Sequence, residues 1–209
     1  MKNSPILFST PMVQAILNGR KTQTRRIIKP QPYHGPGKVF GLPHPGLIFT
    51  TLDSAVCYGS CRYGRPGDTL WVREAFGVFS RAAGGPLSDV PGHWLGIQYK
   101  ATENQSDRLV QVDQETWLKY REKSRWQRFK PAIHMPKWAC RLTLTVRSIK
   151  PVPLQHISEE EAVAEGFEAT ESTSALENMR DLWNRLNAKR GYSWESNPWV
   201  WAIQFEVVR

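Results

Sequence analysis

The last stretch of the chain, residues 199–207, alternates between two kinds of side chain. Trp201, Ile203, Phe205 and Val207 share one face of an extended segment, and Ala202, Gln204 and Glu206 share the other. Successive side chains of a strand point to opposite faces, so this pattern calls for a sheet with one buried side. A second alternating run passes through Leu142, Leu144 and Val146 toward Ile149. A third, more continuously apolar strand is predicted over 69–76, holding Trp71, Val72 and Phe76, and Arg65-Pro66-Gly67-Asp68 forms the turn that feeds it. Residues 21–28 read as extended, with Thr22 and Thr24 on one face and Lys21, Gln23 and Arg25 on the other.

Helical signals lie between these strands. Thr10-Pro11 reads as an N-cap with proline at the first helical position; Met12, Val13, Ile16 and Leu17 then share a face, and Gly19 ends the helix. A strand over 98–102 and a short helix over 114–120 are weaker signals. Ser158 with Glu161, and Ser174 with Glu177, have capping-box spacing. The first opens a short helix ending near Gly166. The second opens a helix whose Leu176, Met179, Leu182, Trp183 and Leu186 form an apolar stripe expected in the core. Short strands with interspersed helices predict an α+β fold or a decorated barrel.

The chain has 209 residues, enough for one domain with insertions or for two small ones. Residues 30–67 are rich in Pro and Gly, and 77–133 are weakly patterned. With 40% hydrophobic and 22% charged residues, the composition excludes a disordered chain. The cysteines Cys57, Cys61 and Cys140 are few and odd in number, which argues against a disulfide framework and suits a reducing compartment. Cys57 and Cys61 approximate a metal-ligand spacing, but Cys140, His134, His44 and His93 supply no second pair, so no metal is expected. No apolar run approaches the roughly 20 residues that span a bilayer. Ser4, Pro5, Ser9, Thr10 and Pro11 interrupt any signal-peptide core. The expectation is a cytoplasmic protein with no membrane partner.

The formal charge is +9 and the pI about 9.7, which favours polyanionic partners. Every charged residue before Asp53 is basic, and between Arg121 and Lys150 only Glu122 opposes the cations. From 151 to 187 acidic residues outnumber Arg180 and Arg185. This segregation predicts a surface with one positive face. Nine tryptophans are available either as core or as platforms for flat ligands.

The densest polar cluster is Gly19-Arg20-Lys21-Thr22-Gln23-Thr24-Arg25-Arg26. A second lies at Asp68-Thr69-Leu70-Trp71-Val72-Arg73-Glu74, where Glu74 ends an apolar strand. An ionised carboxylate in such a place needs a partner, and Lys21 or an arginine would serve. A salt bridge with a purely structural role is one reading of the pair; a catalytic or binding set is the other.

On these residues the sequence resembles the ASCH family, a branch of the PUA-like β-barrels, and more closely the longer ASCH-containing proteins encoded in prophages. The resemblance rests on residues 5–8, on 16–26 with the Gly-Arg-Lys-Thr-x-Thr core, on Gly67-Asp68 with 70–74, on 142–149, on 158–167 ending in Glu-Gly-Phe, and on Asn197-Pro198-Trp199-Val200-Trp201. It implies a single domain over 1–209: a small mixed β-barrel with flanking helices. Residues 31–63 and 77–133 would be insertions that minimal members lack. Some small ASCH proteins are amidohydrolases that deacetylate N(4)-acetylcytidine through a Lys-x-x-Thr motif and a later Glu. Carried over, the catalytic set is Lys21, Thr24 and Glu74, with Arg20, Thr22, Arg25, Arg26, Trp71 and Arg73 as residues that bind the substrate or a nucleic acid. No cofactor is implied.

In that chemistry Thr24 is the nucleophile and a neutral Lys21 its base, its pKa depressed by burial and by Arg20, Arg25 and Arg26. Glu74 protonates the leaving amine or positions the cytosine edge. The alternative is a non-catalytic module for RNA, DNA or a modified base, in which the segment interleaving Trp126, Phe129 and Trp138 with cations stacks and neutralises a single strand. Ribonuclease activity ranks last, because no paired histidines are evident.

Overall fold

The computed structural model of the chain describes residues 1–34, 40–41, 48–49, 61–79, 92–102, 108–121 and 129–208. In chain order the elements are β1 (Asn3–Leu7), α1 (Thr10–Leu17), β2 (Gln23–Ile27), β3 (Tyr33–His34), β4 (Phe40–Gly41), β5 (Ile48–Phe49), β6 (Thr69–Arg73), β7 (Phe76–Phe79), β8 (His93–Tyr99), β9 (Arg108–Val112), α2 (Gln114–Arg121), β10 (Thr143–Pro153), α3 (Glu159–Ala164), α4 (Ala175–Asn187) and β11 (Trp199–Val207). The class is α+β, as the alternating strands and capped helices predict. The largest sheet has the order β1-β6-β10-β11-β2; β3-β4-β5 and β7-β8-β9 form two smaller sheets. Among the described residues the large sheet is an open series of strands rather than a closed barrel.

The chain divides into two compact units. The first comprises Met1–Ser4, Ala15–Leu70 and Leu144–Arg209; the second comprises Pro5–Gln14 and Trp71–Thr143. In the first, β11 pairs antiparallel with both β10 and β2. The ladder aligns Ser148 with Gln204 and Gln204 with Gln23, then Lys150 with Ala202 and Ala202 with Arg25. A register shift between Val146 and Ser148 lets both Val146 and Ile149 reach the core despite their odd spacing. The α3–α4 side of this unit is closed by Leu154, Ala162, Ala175, Met179, Trp183, Trp194 and Val200. Both predicted capping boxes are formed, Ser158 with Glu161 and Ser174 with Glu177. The predicted turn is formed as well: the Asp68 amide donates to the Arg65 carbonyl (3.0 Å), and Gly67 has φ +89°, which a β-carbon would disfavour.

The second unit has its own core of Phe76, Val78, Leu95, Ile97, Tyr99, Met135 and Ala139. Trp138 packs edge-on against Tyr120 at 5.4 Å between ring centroids and is a packing residue here. Trp126 of the interleaved segment lies outside the described residues, as do Cys57 and His44.

Three expectations are corrected. The strand predicted over 69–76 is two strands: β6 ends at Arg73, and Phe76 opens β7 in another sheet, which leaves Glu74 in the break. The strand expected over 98–102 is the end of β8, which begins at His93 and passes at Lys100 into a short 3-10 turn. Leu186 is 61% exposed; the α4 stripe turns away from the core at its last turn, where Asn187 is buried instead.

Candidate functional site

The Gly-Arg-Lys-Thr-x-Thr cluster begins where α1 stops. Gly19 takes φ +74°, the left-handed conformation that ends a helix, and the Arg20 and Lys21 amides both donate to the Ala15 carbonyl. The chain then enters β2. The amide of exposed Thr22 donates to the Ala164 carbonyl (2.9 Å), and its own carbonyl accepts from the Phe205 amide (2.9 Å). This anchors the motif to the end of α3 on one side and to β11 on the other.

Lys21 is buried, 3% exposed. Its ammonium donates to the Gln23 carbonyl (2.7 Å), the Glu165 carbonyl (2.5 Å) and Glu165 Oε2 (3.2 Å). Arg25 runs parallel: Nη1 meets Glu165 Oε1 at 3.2 Å, and Nη2 meets Glu161 Oε2 at 2.8 Å. Two buried cations thus face two carboxylates, Glu165 buried with them and Glu161 open to solvent. Burial lowers the Lys21 pKa from its ordinary value, Glu165 opposes that fall, and Arg26 and Arg25 add to it. The Glu-Gly-Phe segment is what makes room. Gly166 has φ +93°, and a β-carbon there would lie 3.1 Å from the β-carbons of both Ala15 and Lys21.

The remaining predicted residues of this unit occupy distinct places. Thr24 is buried and lies opposite Ile203, one position out of phase with Gln23 and Arg25. Arg26 is half-buried opposite Trp201, and burial lowers its guanidinium from its ordinary value. Arg20 is exposed and pairs with Glu168 at 2.6 Å.

In the second unit Glu74 is 1% exposed and held by Arg141 in a two-pronged bridge, with Nε to Oε1 and Nη2 to Oε2 both 2.9 Å. Arg141 also donates to Thr102 Oγ1 (2.8 Å), and its guanidinium lies 3.9 Å from the Tyr99 ring centroid. Of the two partners expected for Glu74, it is an arginine that fills the role. Trp71 is half-buried under the Arg73 guanidinium, 5.4 Å from its ring centroid, and Arg73 Nη2 donates to the Ile133 carbonyl.

Sequence reasoning did not single out Glu165, Glu161 or Arg141 for the site. Glu161 was legible only as a cap, and Glu165 only as part of Glu-Gly-Phe. A long-range signal was present in the placement of three carboxylates, Glu159, Glu160 and Glu161, just ahead of Glu165 in a chain whose N-terminal segment is wholly basic.

The outer face of β10, β11 and β2 carries a cavity of about 470 Å³ in the first unit. Gln23, Arg25, Ser148, Lys150, His156 and Gln204 are among its walls. Among the described residues no group of His, Cys, Asp and Glu is arranged to hold a metal ion, and no helix is long and apolar enough to cross a membrane. No family model matches the chain, and no curated protein or solved structure matches it either.

Proposed function

We propose that this chain is an ASCH-type, PUA-like module that binds a nucleic acid or a nucleoside derived from one. The observation that carries the binding reading is the state of Lys21. Its ammonium has three protons, and three acceptors take them: two carbonyls and the Glu165 carboxylate. A lysine used this way is a positioning cation that ties β2 to the end of α3, and it has no lone pair to offer Thr24. Glu74 is spent likewise, since both of its carboxylate oxygens are taken up by Arg141. The charge of +9 and the run of cations before Asp53 support a polyanionic partner without any perturbed acid or base.

One observation favours the second reading, an amidohydrolase acting on N(4)-acetylcytidine or a similar modified cytidine. Burial lowers the Lys21 pKa, which is the direction a general base requires. The two readings separate in one incubation. Purified protein is mixed with N(4)-acetylcytidine, and cytidine is followed by mass spectrometry beside Lys21→Ala and Glu74→Gln. The binding reading predicts no turnover above the variants. Turnover that both substitutions abolish, in folded protein, replaces it with the hydrolase.

A further inference from the structure

On the outer face of β2, β11 and β10 lies a row of polar side chains whose hydrogen bonds run in one direction. Ser148 Oγ donates to Gln204 Oε1 at 2.8 Å, and Gln204 Nε2 donates to Gln23 Oε1 at 3.4 Å. The relay takes the oxygen of the Gln23 amide and leaves its Nε2 over. Gln23 is 3% exposed, and Nε2 has no hydrogen-bond partner among the described residues. One row along, Arg25 is 5% exposed and its Nε is in the same condition. Both side chains line the cavity of about 470 Å³. A buried donor left without an acceptor costs roughly 1–3 kcal/mol, so two in one cavity wall call for a ligand that supplies acceptors.

The remaining walls set the ligand's charge. Between Lys150 and Arg25 the ladder places Ala202, whose small side chain leaves the hollow between two long cations. The Arg25 charge is already balanced by Glu161 and Glu165. Glu161, the carboxylate in the wall, accepts from Arg25 Nη2 and from the Ser158 amide (3.3 Å). Lys150 is exposed and forms no ion pair with a described residue, and His156, also exposed, lines the same cavity. The uncompensated charge is therefore positive, and the uncompensated buried hydrogen-bonding atoms are donors. The volume is far above that of inorganic phosphate and within the roughly 300–1,000 Å³ of small-molecule sites.

We infer that this cavity is a binding site for a phosphorylated small molecule, with the phosphate held by Lys150 and His156 and a carbonyl or hydroxyl oxygen of the organic part accepting from Gln23 Nε2 and Arg25 Nε. The inference needs no polynucleotide and stands independently of the nucleic-acid reading. A nucleoside monophosphate and a sugar phosphate share the required chemistry, and the test distinguishes them.

Isothermal titration of the full chain with a nucleoside 5′-monophosphate, a hexose phosphate, inorganic phosphate and a dicarboxylate reads the site directly. One of the two organic phosphates binds saturably, at least about ten-fold tighter than inorganic phosphate. Gln23→Leu weakens that binding about ten-fold or more. Ala202→Leu, which fills the floor at a half-exposed strand position and leaves the Arg25 network intact, does the same should Gln23→Leu not fold. Lys150→Ala reduces the preference for the phosphorylated over the dephosphorylated ligand several-fold. Absence of saturable binding by either organic phosphate, preference for the dicarboxylate, or binding indifferent to Gln23→Leu and Ala202→Leu in folded protein overturns the inference.

Discussion

Lys21 and Glu165 stand 144 positions apart in the chain and meet in a buried ionic contact of the first unit. Glu165 serves two buried cations, so its loss leaves both Lys21 and Arg25 without a buried counter-charge. Glu165→Gln is expected to cost about 3–5 kcal/mol by denaturant unfolding. Glu161→Gln, at a carboxylate that solvent reaches, is expected to cost about 1 kcal/mol or less. Equal costs would contradict the central place given to Glu165. In the second unit Tyr99 donates its hydroxyl to the Ala139 carbonyl (2.8 Å), and burial pushes its pKa up to about 12. The folded state keeps a proton that the unfolded chain loses near pH 10, so this contribution to stability is intact below about pH 10 and is lost as pH rises toward 12. A tyrosinate absorbance titration should show a late step that Tyr99→Phe removes. At this scale the sequence was informative about types and silent about partners. It showed that Glu74 needs a cation but not that Arg141 supplies it, and it showed Lys21 without Glu165. Such pairs depend on strand register and on which helix end meets which strand, and no local pattern encodes either.

Local elements were far more legible, because their signals act over three or four residues. The two capping boxes, the Gly19 stop and the Arg65–Asp68 turn are each formed by atoms close in sequence. Ser174→Ala removes the acceptor for the Glu177 amide at the start of α4 and should cost about 1 kcal/mol, read as a shifted unfolding midpoint with unchanged cooperativity. The Glu177 carboxylate in turn accepts from the Ser174 amide at 2.8 Å, so Glu177→Ala should cost a comparable amount. What failed at this scale has physical reasons. Leu186 satisfies the 3.6-residue spacing but falls where α4 has run past the surface it packs on. The apolar run through Phe76 continues in composition while the backbone changes sheets, since Val72 and Phe76 are both fully buried in different β-layers of the chain.

For the whole molecule, the segregation of charge is the feature that most needs a partner. Much of the first unit's basic excess is consumed internally: Lys21 and Arg25 are neutralised by Glu161 and Glu165, and Arg20 by Glu168. The acidic segment 151–187 is therefore partly the counter-charge of the N-terminal motif, which the composition alone did not reveal. The α+β class was legible from strand alternation and helix caps, whereas the division into two units was not, because the chain passes from one to the other inside continuous elements, within α1 and within strands β1, β6 and β10. The cations left over are what a polyanion would meet, and the most direct test is the affinity of the full chain for a short single-stranded RNA and its DNA counterpart, measured by fluorescence anisotropy from about 50 to about 200 mM salt. With about three to five phosphates neutralised at roughly 0.7 per contact, log affinity should fall linearly with log salt with a slope of about −2 to −3.5. An affinity that stays flat across that range, or no binding to either strand at the lowest salt, would contradict the account.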